Sequence, residues 1–219
     1  MKYKNLFFDL DGTLTDSGEG IMKSVAHAFE RLGMDKPSET QLREFVGPPL
    51  RATFMRFGVP ENRTWEAVGY YRERYNSVGK FENRVYDGIE ELLKKLVKEG
   101  YGIYVATSKP EPLSREIIDH FGLTGHFTYI AGATPDCSRE TKSDVLRYLL
   151  SEIGGADSCL MIGDTVFDIL GAAELGIPGA GVSWGYGNRE EMLKAGAIAV
   201  AGDCEELYRV IAGEISDER

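Results

Sequence analysis

Apolar positions fall in three patterns along the chain. Tyr3 to Phe8 is a short aromatic and apolar run that stops at an acidic turn, Asp9-Leu10-Asp11-Gly12-Thr13, as a buried strand leaving a core would. From Ser17 the period lengthens. Ile21, Val25, Phe29 and Leu32 share one helical face, with Asp16 or Ser17 as cap and Gly33 as stop. Further helices are expected over Glu39 to Val46, Leu50 to Phe57 and Thr64 to Val78, punctuated by Gly47-Pro48-Pro49 and Gly58-Val59-Pro60, with no strand pattern among them.

After Asp87-Gly88 strands and helices alternate. A helix with the apolar face Ile89, Leu92, Leu93, Leu96 and Val97 ends at Gly100, and a strand follows over Gly102 to Ala106. A helix through Ile117, Ile118 and Phe121, a strand near Phe127 to Ala131, a helix from Ser143 to Ile153 and a strand over Cys159 to Ile162 come next. A helix through Ile169 and Leu175, a strand over Ala180 to Ser183, and a weaker strand and helix finish the chain. Alternation at this spacing predicts a doubly wound parallel-sheet α/β core made of residues 1–15 and 86–219, with an all-helical insertion, residues 16–85, between them.

Length and charge narrow the classes. At 219 residues the chain suits one core domain with a smaller insertion, and no apolar run is long enough to span a bilayer. Lys and Arg number 25 against 35 Asp and Glu, a formal charge of -10, with no basic cluster to attract a nucleic acid polymer. Cys137, Cys159 and Cys204 lack the spacing of a metal site or disulfide framework, and Leu6-Phe7-Phe8 lacks a small-residue cleavage site, so a cytoplasmic protein is expected. Oligomeric state is left open, with a monomer compatible.

In an open parallel sheet ligands gather at the carboxyl ends of strands. Those ends carry Asp9 and Asp11, then Thr107, Ser108 and Lys109, then Gly163, Asp164, Thr165 and Asp168, while Lys142 opens the helix after the third strand. Singly, such residues are ordinary caps and loop polars; their convergence at one sheet edge suits phosphoryl transfer. Asp9 is the expected nucleophile, forming an aspartyl-phosphate. Asp11, on the same side of an extended chain, is the expected acid and base. Thr107, Ser108 and Lys142 are expected on phosphate. Crowding Asp9, Asp11, Asp164 and Asp168 calls for a hard divalent cation, and magnesium (Mg2+) suits oxygen ligands.

Asp9-Leu-Asp11-Gly12-Thr13, Thr107, Lys142 and Gly163-Asp164-Thr165-Val166-Phe167-Asp168 resemble, in order, the four motifs of the haloacid dehalogenase superfamily. The helical insertion resembles the small cap of the subclass that includes phosphoglycolate phosphatase and β-phosphoglucomutase. Phe45-Val46-Gly47-Pro48-Pro49-Leu50 and Gly79-Lys80-Phe81-Glu82-Asn83 resemble a phosphoglycolate phosphatase-like or 5'-nucleotidase-like branch. The resemblance implies a Rossmann-like core. It implies Asp9 and Asp164 on magnesium, Asp11 there through its backbone carbonyl, Asp168 ligating or acting through water, and a small phosphorylated metabolite as substrate. Gly47, Pro48 and Arg51 then become candidate specificity residues, Arg51 facing a substrate anion. A phosphomutase or inorganic pyrophosphatase on the same core remains open, as does a non-enzymatic, receiver-like phospho-acceptor. Dehalogenation is disfavoured by the acid at Asp11.

Other signals carry less. Gly179, Gly181, Gly185 and Gly187 suggest a dinucleotide loop, but Trp184 stands where the third glycine of that pattern belongs, so a flexible loop near the site is expected. His27, His120 and His126 show no ligand spacing. Trp65, Tyr70, Tyr71 and Tyr75 are expected to pack inside the helical insertion rather than stack on a base.

Overall fold

The computed structural model describes residues 2–215 except Pro135, Cys137 and Ala156, so Cys137 lies outside the described residues. The chain divides into two compact units, Met1–Thr15 with Val85–Arg219, and Asp16–Arg84.

The first unit is a parallel six-stranded sheet with helices on both faces. Its strands are β1 (Asn5–Phe8), β4 (Gly102–Pro110), β5 (Tyr129–Ala133), β6 (Cys159–Gly163), β7 (Gly179–Val182) and β8 (Val200–Ala201), in the order β5-β4-β1-β6-β7-β8. Pairing puts Phe8 beside Val105 on one side and Ile162 on the other. Alternation along β1 then explains both layers. Leu6 and Phe8 join Ile103, Val105, Leu160 and Ile162 under α5 (Ile89–Lys98), α6 (Glu111–His120) and α10 (Cys204–Ala212). Phe7 faces the opposite way, with Tyr104, Met161 and the apolar side of α7 (Lys142–Ile153) and α8 (Val166–Ala173). After β5 the chain crosses back over β1 to β6. The carboxyl ends of β4, β1 and β6 flank that switch, where an open α/β sheet binds ligands.

Three local expectations are corrected. β4 extends to Pro110, through Thr107, Ser108 and Lys109, with a register irregularity between Ala106 and Pro110. Polar residues mask this extension in the sequence. Val97 is 45% exposed, at the margin of the α5 face rather than on it. A six-residue helix, α9 (Arg189–Lys194), follows Asn188; Met192 is its buried residue, too little to give a periodic signal.

The second unit holds α1 (Gly18–Leu32), α2 (Glu39–Arg43), α3 (Leu50–Arg56) and α4 (Thr64–Tyr75). Phe29, Phe45 and Phe54 form a mutually contacting ring cluster, with Val25, Tyr71 and Tyr75 also buried. Ser17 sits at the cap position of α1 without a side-chain capping bond. α2 stops before Phe45 because Gly47 precedes Pro48, which disfavours helical backbone there, and Gly47 takes a φ of 103°. Trp65 departs from its expected place in the core: it is 57% exposed. Two-residue strands, β2 (Thr15–Asp16) and β3 (Arg84–Val85), pair where the chain passes between the units, a stretch in which no strand was expected. Among the described residues no helix is long and apolar enough to cross a membrane.

Candidate active site

Asp9 follows directly on β1, its N–H bonded to the Ile162 carbonyl at 2.9 Å, so its position is fixed by the central pairing of the sheet. The loop after it is tight. Leu10 accepts from Leu14 and Thr15, and Gly12, at a φ of 81°, turns the chain in a conformation that suits glycine alone among common residues. That loop presents Asp11 and Thr13 to the same edge.

Lys142, the first residue of α7, enters the edge from the side. Its Nζ lies 2.8 Å from Asp9 Oδ1, 2.8 Å from Asp168 Oδ1, and donates to the Ala106 carbonyl at 2.7 Å. Gly171 on α8 makes room for it: a Cβ there would stand 2.7 Å from the Lys142 Cβ. Thr141 caps α7 through the Asp144 N–H, setting where that helix begins. Burial pulls the ammonium pKa down, but Asp168 and Asp9 outweigh it and the net shift is upward, so Lys142 stays charged.

Asp164 directly follows β6 and Asp168 lies on the first turn of α8. Asp168 Oδ2 accepts from the Thr165 N–H and hydroxyl, each at 3.0 Å. Asp164 Oδ2 accepts from the Tyr186 N–H at 2.8 Å, and its Oδ1 has the Thr13 hydroxyl at 3.4 Å. Asp9, Asp164 and Asp168 each offer an oxygen within 4.8 Å of the others.

Asp11 is held differently. Its Oδ2 meets Lys109 Nζ at 2.5 Å, with that lysine side chain only 7% exposed, while its buried Oδ1 has no hydrogen-bond donor among the described residues. Sequence reasoning quoted Lys109 but gave it no role. The sequence signal was weak: Thr107 to Lys109 read as loop polars, and the strand register is irregular between Ala106 and Pro110. Thr107 is 2% exposed and accepts from the Lys109 N–H at 3.2 Å, whereas Ser108, on the other face, is exposed.

The carboxylates repel. Asp9 is pushed up to about 6 by burial, partly countered by Lys142 and reinforced by Asp168 and Asp11. Asp164 is raised well above the usual carboxylate range by burial first, then by Asp168 and Asp9. Fully ionised, Asp9, Asp11, Asp164 and Asp168 face Lys109 and Lys142, a surplus of two negative charges. An all-oxygen cluster carrying that surplus fits a hard divalent cation.

Gly47, Pro48 and Arg51 belong to the helical unit. Gly47 is exposed and Pro48 half-buried. Arg51 donates from Nε to the Thr64 hydroxyl at 3.0 Å and lies over the Trp65 ring at 5.0 Å. None of His27, His120 and His126 joins the acidic cluster.

A family model described as haloacid dehalogenase-like hydrolase matches residues 6–182. A 5'-nucleotidase of Pseudomonas aeruginosa is 49% identical over 213 residues, covering 96% of each chain. The tyrosine-protein kinase PtkA of Mycobacterium tuberculosis is 41% identical over 209 residues, which span 94% of this chain and 72% of that one. A solved structure of a predicted phosphatase from Clostridium acetobutylicum superposes with a TM-score of 0.91 at 41% identity, covering 96% of this chain and 99% of its own.

Proposed function

The chain belongs to the haloacid dehalogenase-like hydrolase family and is a phosphatase, and from that premise we propose that it hydrolyses small phosphomonoesters through an aspartyl-phosphate on Asp9, with magnesium bound. The observation that carries the reading is Lys142 held between Asp9 and Asp168 beside the buried Asp164 carboxylate.

The steps balance on this chain's own residues. Asp9 attacks phosphorus and the bond to the leaving oxygen breaks, while Asp11 gives that oxygen a proton. Water then attacks the aspartyl-phosphate, giving its proton to Asp11, and inorganic phosphate leaves with Asp9 restored. Thr107 and nearby backbone N–H groups hold phosphoryl oxygens, and Lys142 offsets their charge. Asp9, Asp164 and the Asp11 carbonyl would hold magnesium, with Asp168 beside them ligating or acting through water. Bound there, the cation supplies the charge that lets Asp9 ionise and a phosphate dianion enter.

In this reading the α/β unit performs the chemistry and the helical unit is a substrate-selecting cap. Similarity to the Pseudomonas 5'-nucleotidase makes nucleoside 5'-monophosphates the first substrate class, with phosphoglycolate second. A cytoplasmic setting is part of the proposal, with Cys159 and Cys204 as free thiols.

The test measures phosphate release from a nucleoside 5'-monophosphate, phosphoglycolate, a sugar phosphate and pyrophosphate. A tyrosine peptide with ATP serves as an acceptor arm, in view of the Mycobacterium relative. Turnover of a monoester, lost with EDTA and lost in Asp9→Asn by at least about a thousandfold, is expected. Turnover that survives both overturns the mechanism; isomerised sugar phosphate without release assigns a mutase instead.

A further inference from the structure

The glycine-containing stretch through Gly185 and Gly187, at the end of β7, was expected to be a flexible loop. In the structure it is backbone pinned over Asp164. Ser183 N–H bonds the Ala201 carbonyl at 2.9 Å, and Trp184 Nε1 donates to the Thr13 carbonyl at 3.1 Å. The Tyr186 N–H donates to Asp164 Oδ2 at 2.8 Å, and the Asn188 side chain caps α9 through the Glu191 N–H at 3.1 Å.

Between these anchors sit the two glycines. A Cβ on Gly185 would stand 2.4 Å from Asp164 Oδ2 and 2.3 Å from the Gly12 carbonyl, and one on Gly187 would stand 1.9 Å from the Asp164 carbonyl. The neighbours are backbone and a carboxylate that is 1% exposed, so nothing flexible can yield. The glycines are therefore set by how closely one backbone approaches a buried acid. That approach makes the two oxygens of Asp164 unequal. Oδ2 is held by the Tyr186 amide, and Oδ1 has the longer 3.4 Å contact from Thr13.

We infer that Trp184 to Gly187 is a positioning strap, which fixes the Asp164 carboxylate through the Tyr186 N–H so that Oδ1 is presented to the acidic cluster. This rests on the magnesium reading above only in naming what Oδ1 is presented to. Losing an outer contact that orients a metal ligand typically costs about 10- to 100-fold in metal affinity or activity.

Gly185→Ala and Gly187→Ala are titrated with Mn2+ by electron paramagnetic resonance and with Mg2+ by calorimetry. Gly125→Ala, whose methyl meets nothing within 4 Å, is the control. In the strap variants ion affinity falls about 10- to 100-fold, while kcat recovers at saturating magnesium; the control keeps the original affinity. Unchanged affinity in folded strap variants overturns the proposal. Should the glycine variants not fold, amide exchange in the unsubstituted protein and in Asp164→Ala decides. The Tyr186 amide is protected in the first and exchanges freely in the second, with β6 and β7 protected in both; equal protection of Tyr186 overturns the strap. If the unsubstituted protein binds neither ion saturably, the magnesium reading fails and the exchange result alone judges the strap.

Discussion

Asp9 and Asp11 stand two residues apart, and they meet different lysines. Asp9 shares Lys142 with Asp168, which suits its proposed role as the nucleophile. Asp11 has Lys109 on Oδ2 at 2.5 Å and a bare Oδ1. One oxygen is thus tied, and in the proposed mechanism the other exchanges a proton with the leaving group. Lys109→Met keeps length and burial but releases that tie. Its kcat/KM for a nucleoside 5'-monophosphate, whose alkoxide needs a proton, should fall about 100-fold or more. For p-nitrophenyl phosphate, whose leaving group departs unprotonated, the loss should stay within about tenfold. Equal losses on the two esters would mean that Lys109 acts on the fold and not on Asp11. Gly12 works at the same scale: its positive φ folds the loop back so that Asp11 and Thr13 reach the edge that Asp9 occupies.

Among the elements, Glu82 ties α4 to α1 in the helical unit. Glu82 accepts from Arg74 of α4 at 2.6 and 3.0 Å and from Lys23 of α1 at 3.0 Å, and its side chain is 20% exposed. The Arg74 hydrogen bonds, against a smaller cost of burial and with Lys23 assisting, lower its pKa from 4.5 to about 2. A depressed carboxylate stabilises the fold above its unfolded pKa and loses that contribution as pH falls from 4.5 toward 2. Glu82→Gln should therefore cost about 1–2 kcal/mol at neutral pH, solvent screening included, and little near pH 2. Denaturant melts of both proteins across that range read the difference; a constant gap would remove the carboxylate from the account. Glu82 carried no such signal in the sequence, because its partners lie 8 and 59 residues away. What the sequence did make legible was periodic. α1 shows the face Ile21, Val25, Phe29 and Leu32 from the side-chain spacing alone, and β1 and β6 show as short apolar runs ending in acids. The far end of β4 and α9 were hidden, one because its strand residues are polar, the other because a single buried methionine has no period. That Asp9, Asp164, Asp168 and Lys142 come together was legible because strand ends converge in any doubly wound sheet; the Tyr186 amide was missed because a backbone donor leaves no trace in residue identity.

For the whole molecule, the formal charge of -10 matters most where it is concentrated and buried. Spread over the surface such a charge is screened, but the surplus at Asp9, Asp11, Asp164 and Asp168 acts in a poorly solvated site. The sign of its pH dependence follows from Asp9. Its folded pKa of about 6 exceeds the ordinary 3.8, so between those values the folded state binds more protons than the unfolded one. Stability then falls as pH rises through that window, and Asp164, raised for the same reasons, adds in the same direction. Metal-free protein should melt lower at pH 7 than at pH 5. Adding magnesium at pH 7 should reverse the loss, by about 2.7 kcal/mol at a hundredfold excess over Kd, with each kcal/mol moving Tm by roughly 2–4 °C in a chain of this size. Asp9→Asn removes one charge from the cluster. The variant should melt above the unsubstituted protein in EDTA at pH 7, show a flatter pH profile, and gain less from magnesium, while releasing no phosphate. Thermal melts from pH 5 to 8, with EDTA or magnesium, separate these effects. A metal-free protein that gains stability across that range would mean that the acids are compensated within the fold, and that the site has no need of a cation.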